Sequence, residues 1–92
     1  MHAVLVKVKI GDFEKGRQGL ENEVVPRAAQ APGFVAGYWT RPADGSGNEG
    51  LSLAVFESED AARTAAERVR SATPPETVTI ESVEVREVVA HA

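Results

Sequence analysis

The sequence predicts an α+β fold in which strands and helices follow the order βαββαβ. Four segments alternate between apolar and polar residues at a period of two, as half-buried strands do; they are residues 2–10, 34–40, 51–56 and 78–89. Two further segments, residues 12–31 and 58–72, carry apolar residues at helical spacing. We therefore expect one domain, covering residues 1–92, made of two split β-α-β units.

The first strand is the most regular of the four. Its even-numbered positions from residue 4 to residue 10 are all β-branched, which predicts that this face packs in the core. The opposite face carries Leu5 and Lys7. Gly11 ends the strand, and Asp12 is a suitable N-cap for the helix that follows.

The first helix contains a proline within its apolar pattern. Pro26 has no backbone N–H to donate, and its ring disfavours the helical conformation at Val25. We therefore expect a kink or break near Val25. The segment Ala31-Pro32-Gly33 should end the helix, and Phe34 should open the second strand.

The second half of the chain has clear loop and cap signals. Residues 42–50 are polar and rich in glycine, which predicts a hairpin loop between strands two and three. Ser58 should cap the alanine-rich second helix, and the prolines at 74–75 should end it. The apolar phase of the last strand changes between Ile80 and Val83, which predicts a bulge or bend near Glu81 and Ser82.

Right-handed connections between these elements give a four-stranded antiparallel sheet with strand order 4-1-3-2 and both helices on one face. This arrangement is ferredoxin-like, and no layer of the fold covers the second face of the sheet, which we call the open face. We expect the open face to carry Leu5, Lys7, Ala54 and Phe56. If Phe34 points towards the helices, strand two adds Val35, Trp39 and Arg41.

An open face of this mixed, largely apolar character is typical of an interaction surface. We expect two copies of the chain to pair through their open faces as a homodimer, which would close the two sheets into a dimeric α/β barrel around a cavity. The candidate lining residues of that ligand pocket are Leu5, Lys7, Tyr38, Trp39, Arg41 and Phe56.

Trp39 and Arg41 are the candidates whose chemistry suits an aromatic ligand. Tyr38 and Trp39 are adjacent in one strand and so point to opposite faces; we expect Trp39 in the cavity. Trp39 could stack on a planar ligand, or it could serve only as interface packing. Arg41 could bind a carboxylate or phenolate, or it could be an ordinary exposed arginine at a strand end.

Composition disfavours several other functions. The chain has 14 acidic and 10 basic residues and a net charge of −4, which opposes binding to nucleic acid. It has no cysteine, so we expect a reducing, cytoplasmic location, and no segment is long enough for a membrane span. Antiparallel strands one and four would bring His2 and His91 together, but two histidines without a carboxylate make a weak site, and no metal is expected.

The alternating N-terminal strand, the segment Ala31-Pro32-Gly33-Phe34 and the segment Val55-Phe56-Glu57-Ser58-Glu59-Asp60-Ala61 carry a family resemblance. In these features nearly the whole chain resembles the antibiotic biosynthesis monooxygenase-like proteins of the dimeric α/β-barrel superfamily. The resemblance implies the barrel fold. It implies less about activity, because the superfamily includes cofactor-free oxygenases, haem-degrading enzymes, isomerases and proteins of no known activity.

The haem-degrading members resemble one another in an asparagine on strand one, a tryptophan at the end of strand three and a histidine in the second helix region. This chain has no asparagine in strand one, Phe56 at the tryptophan position and no histidine between residues 58 and 72. The resemblance therefore argues against haem degradation, and we expect no cofactor.

Three functions stay open at this point. The first is a homodimer that encloses a small, largely apolar or aromatic ligand. The second is a cofactor-independent monooxygenase acting on a phenolic or polycyclic aromatic substrate, which would need a base and donors that stabilise the substrate anion. The third is a protein-interaction module. The sequence alone does not decide whether the protein is an enzyme.

Overall fold

The computed structural model describes residues 1–45, 47–72 and 78–92, and only the backbone of Phe13. The elements in chain order are β1 (His2–Ile10), α1 (Phe13–Gly19), a π-helical segment (Leu20–Val24), α2 (Val25–Ala29), β2 (Phe34–Thr40), β3 (Glu49–Phe56), α3 (Glu59–Ser71) and β4 (Val78–Glu87). Because α1, the π-helical segment and α2 follow one another directly, they form a single first helix. The predicted order βαββαβ is confirmed.

The four strands form one antiparallel sheet with the order β2-β3-β1-β4, which is the predicted order 4-1-3-2. β4 ends at Glu87, two residues earlier than predicted, and the N–H of Val88 donates to the carbonyl of Met1 at 3.0 Å. The predicted helix stop at residues 74–75 lies outside the described residues. No described helix has the length and apolar character needed to cross a lipid bilayer.

Both predicted helix caps are confirmed. The N–H of Lys15 donates to Asp12 Oδ1 at 3.2 Å, and the N–H of Ala61 donates to Ser58 Oγ at 3.1 Å. The predicted irregularity in the first helix takes the form of the π-helical segment, which ends with the N–H of Val25 donating to the carbonyl of Leu20. This wider turn lies directly before Pro26, whose ring would clash with the carbonyl four residues back in a regular helix.

Two β-bulges change which side chains share a face. In β4 the register passes from Ser82 opposite Lys7 to Ile80 opposite Val8, so Glu81 is the extra residue and the predicted bulge is confirmed. A second bulge, which the sequence did not predict, lies in β2. There Phe34 is opposite Phe56 and Ala36 is opposite Val55, so Val35 is the extra residue. After Val35 every side chain of β2 lies on the face opposite to the one that simple alternation predicts.

The core lies between the sheet and α3. Its buried members are Val4, Val6, Phe56, Ala62 and Ala66. Phe56 is only 2% exposed and meets Phe34 edge to face, with ring centroids 5.9 Å apart. The alanines of α3 allow the helix to lie close to the sheet, and Phe56 fills the space beneath it.

The predicted positions of Phe56 and Ala54 on the open face were wrong. Phe56 lies opposite His2 and Ala54 lies opposite Val4, so both β3 side chains share the buried face of β1. The other β3 residues, Leu51, Leu53 and Val55, therefore lie on the open face. Since both faces of this strand are apolar, its alternation alone did not determine which face is buried.

Candidate functional site

The open face of the sheet carries a contiguous group of apolar side chains from three strands. We call it the apolar patch; it consists of Leu5, Ala36, Tyr38, Leu51, Leu53 and Val55. Leu53 lies at its centre, directly opposite Leu5 on one side and Tyr38 on the other. Leu51 is 46% exposed and Tyr38 62% exposed, which is unusual for large apolar side chains that share one surface.

The other half of the open face is charged and polar. Arg86 binds Glu84 through both Nε and Nη2, at 2.9 and 2.8 Å from Glu84 Oε2. Lys9 lies opposite Glu49 at the end of the sheet. Lys7 lies opposite Leu51 on β3 and Ser82 on β4, and it forms no ion pair with any other residue that the structure describes.

The structure divides the predicted pocket residues between the two faces. Leu5, Lys7 and Tyr38 lie on the open face, whereas Phe56 is in the core. Arg41 is exposed and follows the last residue of β2. The sequence did not identify Leu51, Leu53, Val55 and Ala36 as residues of the open face.

The predicted position of Trp39 in the cavity was also wrong. Trp39 lies opposite Ser52 and Tyr38 opposite Leu53, so the tyrosine is the aromatic residue of the open face and the tryptophan is on the helix side. The physical reason is the bulge at Val35. The indole ring packs over Gly37, where an added Cβ would lie 2.8 Å from Trp39 Cη2. A glycine two residues before a tryptophan in one strand is the sequence signal that could have revealed this packing.

The two histidines do not form a site with each other. The imidazole of His2 is partly buried on the helix side, with Nε2 4.0 Å from Glu59 Oε1 and Nδ1 buried without a hydrogen-bond partner. His91 is exposed beyond the end of β4. Neither a hydrogen bond nor an ion pair joins the two rings, and the described residues include no group of three or more potential metal ligands.

Glu59 has a structural rather than a chemical role. The Nε of Arg63, one helical turn later, donates to Glu59 Oε2 at 2.8 Å. This hydrogen bond, together with the charge of Arg63 and a smaller contribution from His2, lowers the pKa of Glu59 below its usual 4.5. A lowered pKa means that the ion pair stabilises the fold at neutral pH and that this stabilisation is lost as the pH falls through the folded-state pKa. The pair is exposed, so water and salt weaken it.

Two surface clefts lie away from the predicted pocket. One, of about 300 Å³, runs between the end of the first helix and α3; it is lined by Ala31, Pro32, Asp60, Ala61, Thr64, Ala65 and Arg68. The other, of about 540 Å³, follows β4 beside Arg70. Neither cleft includes Trp39, Tyr38 or Lys7, so the open face remains the surface on which the predicted residues meet.

These elements define the class of the protein as a ferredoxin-like α+β fold whose open sheet face carries an apolar patch. No family model matches the chain, and no curated protein is significantly similar to it in sequence. Solved structures are similar over almost the whole chain.

SnoaB, a cofactor-independent oxygenase from Streptomyces nogalater, is 18% identical with a TM-score of 0.69, over 98% of this chain and 94% of SnoaB. A monooxygenase from the ActVA-Orf6 gene of Streptomyces coelicolor, solved in complex with nanaomycin D, is 18% identical with a TM-score of 0.54, over 98% and 92%. The haem degrader MhuD from Mycobacterium tuberculosis, with two haems bound, is 20% identical with a TM-score of 0.58, over 98% of each chain.

The chain therefore shares its fold with these solved structures over nearly its whole length, in agreement with the resemblance that its sequence predicted. At these identities the similarity establishes the fold, and activity has to be argued from the residues of this chain.

Proposed function

We propose that this protein is a homodimer that pairs through its open faces and encloses a small, planar, largely apolar ligand. The apolar patch is the observation that carries the proposal. Burying a leucine- or tyrosine-sized side chain contributes roughly 1.5–3 kcal/mol, and Leu51 and Tyr38 are largely exposed in the single chain. A chain of 92 residues also buries a smaller fraction of its surface than a larger protein does, so pairing supplies burial that one copy lacks.

The layout of the open face favours a second copy over an unrelated partner. Its apolar half lies on β2, β3 and Leu5, and its charged half lies along β4 and the lysines of β1. A two-fold axis between the sheets, close to Leu53, makes the two apolar patches face each other around the ligand and leaves the charged halves at the rim. We expect the pair to bury about 2,000 Å² or more in total, as obligate homodimers do. A cytoplasmic location stays a prediction from the absence of cysteine.

Replacing Leu53 with aspartate should separate the dimer. The new carboxylate would lie in the centre of the apolar patch, where burial without a partner costs several kcal/mol. Because each 1.4 kcal/mol is a tenfold change, the dimer dissociation constant should rise by about 100-fold or more. Sedimentation velocity over a concentration series measures this directly.

The matched control is Thr64→Asp, which places the same carboxylate on an exposed position of α3 and should leave the dimer unchanged. A wild-type protein that sediments only as a monomer at micromolar concentration would contradict the proposal. So would a Leu53→Asp variant that sediments like the wild type.

The second candidate function is a cofactor-independent monooxygenase. It is favoured by the similarity in fold to SnoaB and to the ActVA-Orf6 monooxygenase over 98% of this chain. Such an enzyme binds a phenolic substrate as its phenolate, with the proton released to water, and stabilises this anion while it reacts with oxygen. The substrate supplies both electrons, so one oxygen atom enters the substrate and the other leaves as water. On the open face, Lys7 could stabilise that anion and Tyr38 could donate a hydrogen bond to it.

Substitutions at the single tyrosine and the single tryptophan should locate the ligand, because the two residues lie on opposite faces of the sheet. With anthraquinone-2-carboxylate as the probe, Tyr38→Ala should weaken binding about tenfold, since stacking and apolar contact contribute about 1–3 kcal/mol per ring. Trp39→Leu should leave the dissociation constant unchanged. Isothermal titration calorimetry measures both.

If Trp39→Leu weakens binding of the probe and Tyr38→Ala does not, the ligand lies on the helix side of the sheet, which contradicts the enclosed site. Oxygen consumption with 1,8-dihydroxyanthrone and no added cofactor, faster than the spontaneous oxidation measured without protein, would support the monooxygenase. Binding without oxygen consumption would support a binding protein, and a dimer that binds no aromatic compound would favour the interaction module.

A further inference from the structure

The charged residues of α3 fall into two groups. Four of them form ion pairs within the helix, at 2.6 and 2.7 Å: Glu59 with Arg63, and Glu67 with Arg70. The side chains of the other two, Asp60 and Arg68, form no ion pair or hydrogen bond with any residue that the structure describes. They line the same cleft, but about 12 Å of helix separates them, so they are too far apart to pair with each other.

Asp60 and Arg68 lie at the two ends of one side of α3, next to the end of the first helix. We call this side the α3 stripe; it consists of Asp60, Ala61, Thr64, Ala65 and Arg68. These positions share one side of the helix because they repeat at helical spacing. Ala31 and Pro32 form the other wall of the cleft, which has a volume of about 300 Å³. The α3 stripe therefore has small, uncharged residues in its middle and opposite charges at its ends.

This order of charges is complementary to a second copy of the same stripe. A two-fold axis at Thr64 sets two copies of α3 antiparallel, so that each Asp60 lies level with the Arg68 of the other copy. A parallel arrangement would instead put like charges together. The short side chains of Ala61 and Ala65 allow the two helix axes to approach to about 8 Å.

The cleft provides space for the arginine of the second copy. Its methylene groups would lie against Ala31 and Pro32, while its guanidinium reaches Asp60 at the rim. An exposed ion pair contributes little to binding by itself. The contact between the helices and the burial of the arginine stem therefore have to add to the two ion pairs.

We propose that α3 forms a second interface between copies of this chain, in which two α3 stripes pair antiparallel and each Asp60 binds the Arg68 of the other copy. This interface does not depend on pairing of the open faces, because α3 lies on the other side of the sheet. One helix of 13 residues from each copy makes a contact smaller than the standard interface of about 1,600 Å². We therefore expect a weak, salt-sensitive association with a dissociation constant of about 0.1–1 mM.

The interface has a consequence for the open-face homodimer. Such a dimer would carry two α3 stripes on opposite outer sides, and both cannot contact the same neighbouring dimer. Pairing through α3 would therefore link dimers into chains rather than into a closed tetramer.

The test uses the Leu53→Asp protein, in which the α3 contact can be observed without the open-face dimer. At about 0.1–1 mM and low salt, sedimentation equilibrium should show monomers in equilibrium with dimers, and about 0.5 M NaCl should raise the dissociation constant about fivefold or more. Asp60→Arg and Arg68→Asp should each remove the association, because each sets like charges opposite one another. Arg63→Asp is the matched control; it changes the net charge as Arg68→Asp does, but outside the α3 stripe, and should associate like its parent.

Charge exchange separates loss of the contact from loss of folding. An equimolar mixture of the Asp60→Arg and Arg68→Asp proteins should associate like the parent, because one stripe is then positive at both ends and the other negative. The protein that carries both substitutions should associate with itself again. The inference is overturned if the parent stays monomeric at about 1 mM in low salt, if either single variant associates like the parent, or if the mixture does not associate.

Failure of this inference and failure of the proposed function give different results. A wild-type dimer at micromolar concentration, with a Leu53→Asp protein that stays monomeric at about 1 mM, overturns the α3 interface and leaves the open-face homodimer standing. A wild-type monomer at micromolar concentration that associates at about 1 mM through Asp60 and Arg68 overturns the open-face homodimer and supports the α3 interface. At micromolar concentration the α3 contact is not populated, so Thr64→Asp remains a valid control for the open-face dimer.

Discussion

Replacing Phe56 with alanine should lower the free energy of unfolding by about 3–5 kcal/mol, the usual loss for a buried phenylalanine. Phe56 is 2% exposed, packs with the core alanines of α3 and contacts Phe34 edge to face. Since small domains are stable by only about 5–15 kcal/mol, this single substitution should unfold a measurable fraction of the protein. Urea denaturation followed by circular dichroism gives the change.

The control for Phe56 is Tyr38→Ala, which removes an aromatic ring from the other face of the same sheet. Both substitutions should be compared in the Leu53→Asp background, so that loss of the dimer does not contribute to the measured stability. Tyr38 is 62% exposed, and its removal there should cost less than about 1 kcal/mol. A Phe56→Ala variant that is as stable as its Leu53→Asp parent, and that abolishes the dimer when it is made in the wild-type background, would place Phe56 on the open face and contradict the structure.

Gly33→Ala should be the second strongly destabilising substitution. Gly33 has φ of +79°, and a side chain there costs roughly 1–2 kcal/mol in the left-handed conformation. An added Cβ would also lie 2.9 Å from the Cβ of Ala61, closer than two carbon atoms approach without displacement. Because the N–H of Glu57 donates to the carbonyl of Gly33 at 2.8 Å, the backbone at this position is held to the start of α3. Thermal or urea denaturation should show a loss above 2 kcal/mol.

Gly45→Ala separates the backbone cost of a side chain at positive φ from the cost of the close contact with Ala61. Gly45 has φ of +72° but nothing within 4 Å of an added Cβ, so its substitution should show the backbone contribution alone. Ala61→Gly in the Gly33→Ala variant removes the clash, and a double-mutant cycle should give a favourable coupling between the two positions. If Gly33→Ala and Gly45→Ala lower the free energy of unfolding equally, and Gly33 shows no coupling to Ala61, then the close contact with α3 does not contribute to the cost of the substitution.

The sequence was most informative where one face of an element is visibly polar. In β1 the even positions from 4 to 10 are β-branched and the opposite face carries Lys7 and Lys9, so its buried face was predicted correctly. The change of phase in β4 indicated the bulge at Glu81. The caps at Asp12 and Ser58 were also predictable because each offers a side-chain oxygen directly before a helix.

The candidate site was less predictable, for two physical reasons. β3 is apolar on both faces, so its pattern fits either orientation, and the choice is made by the fit of Phe56 beneath α3. In β2 the bulge at Val35 adds one residue without any polar or glycine signal at that position, and this exchanged the faces of Tyr38 and Trp39. Both errors arise from pairing between strands, which local alternation does not encode.

The two helices of the molecule differ in how extensively they pack against the core. Among the side chains that the structure describes, no residue from 14 to 30 belongs to the core cluster, whereas α3 contributes two buried alanines to it. The first helix also contains the π-helical segment and Pro26, so it has fewer regular hydrogen bonds to resist local opening. We therefore expect the first helix to open locally more readily than α3. Such opening would uncover the helix side of β2 and leave the open face, on the other side of the sheet, unchanged.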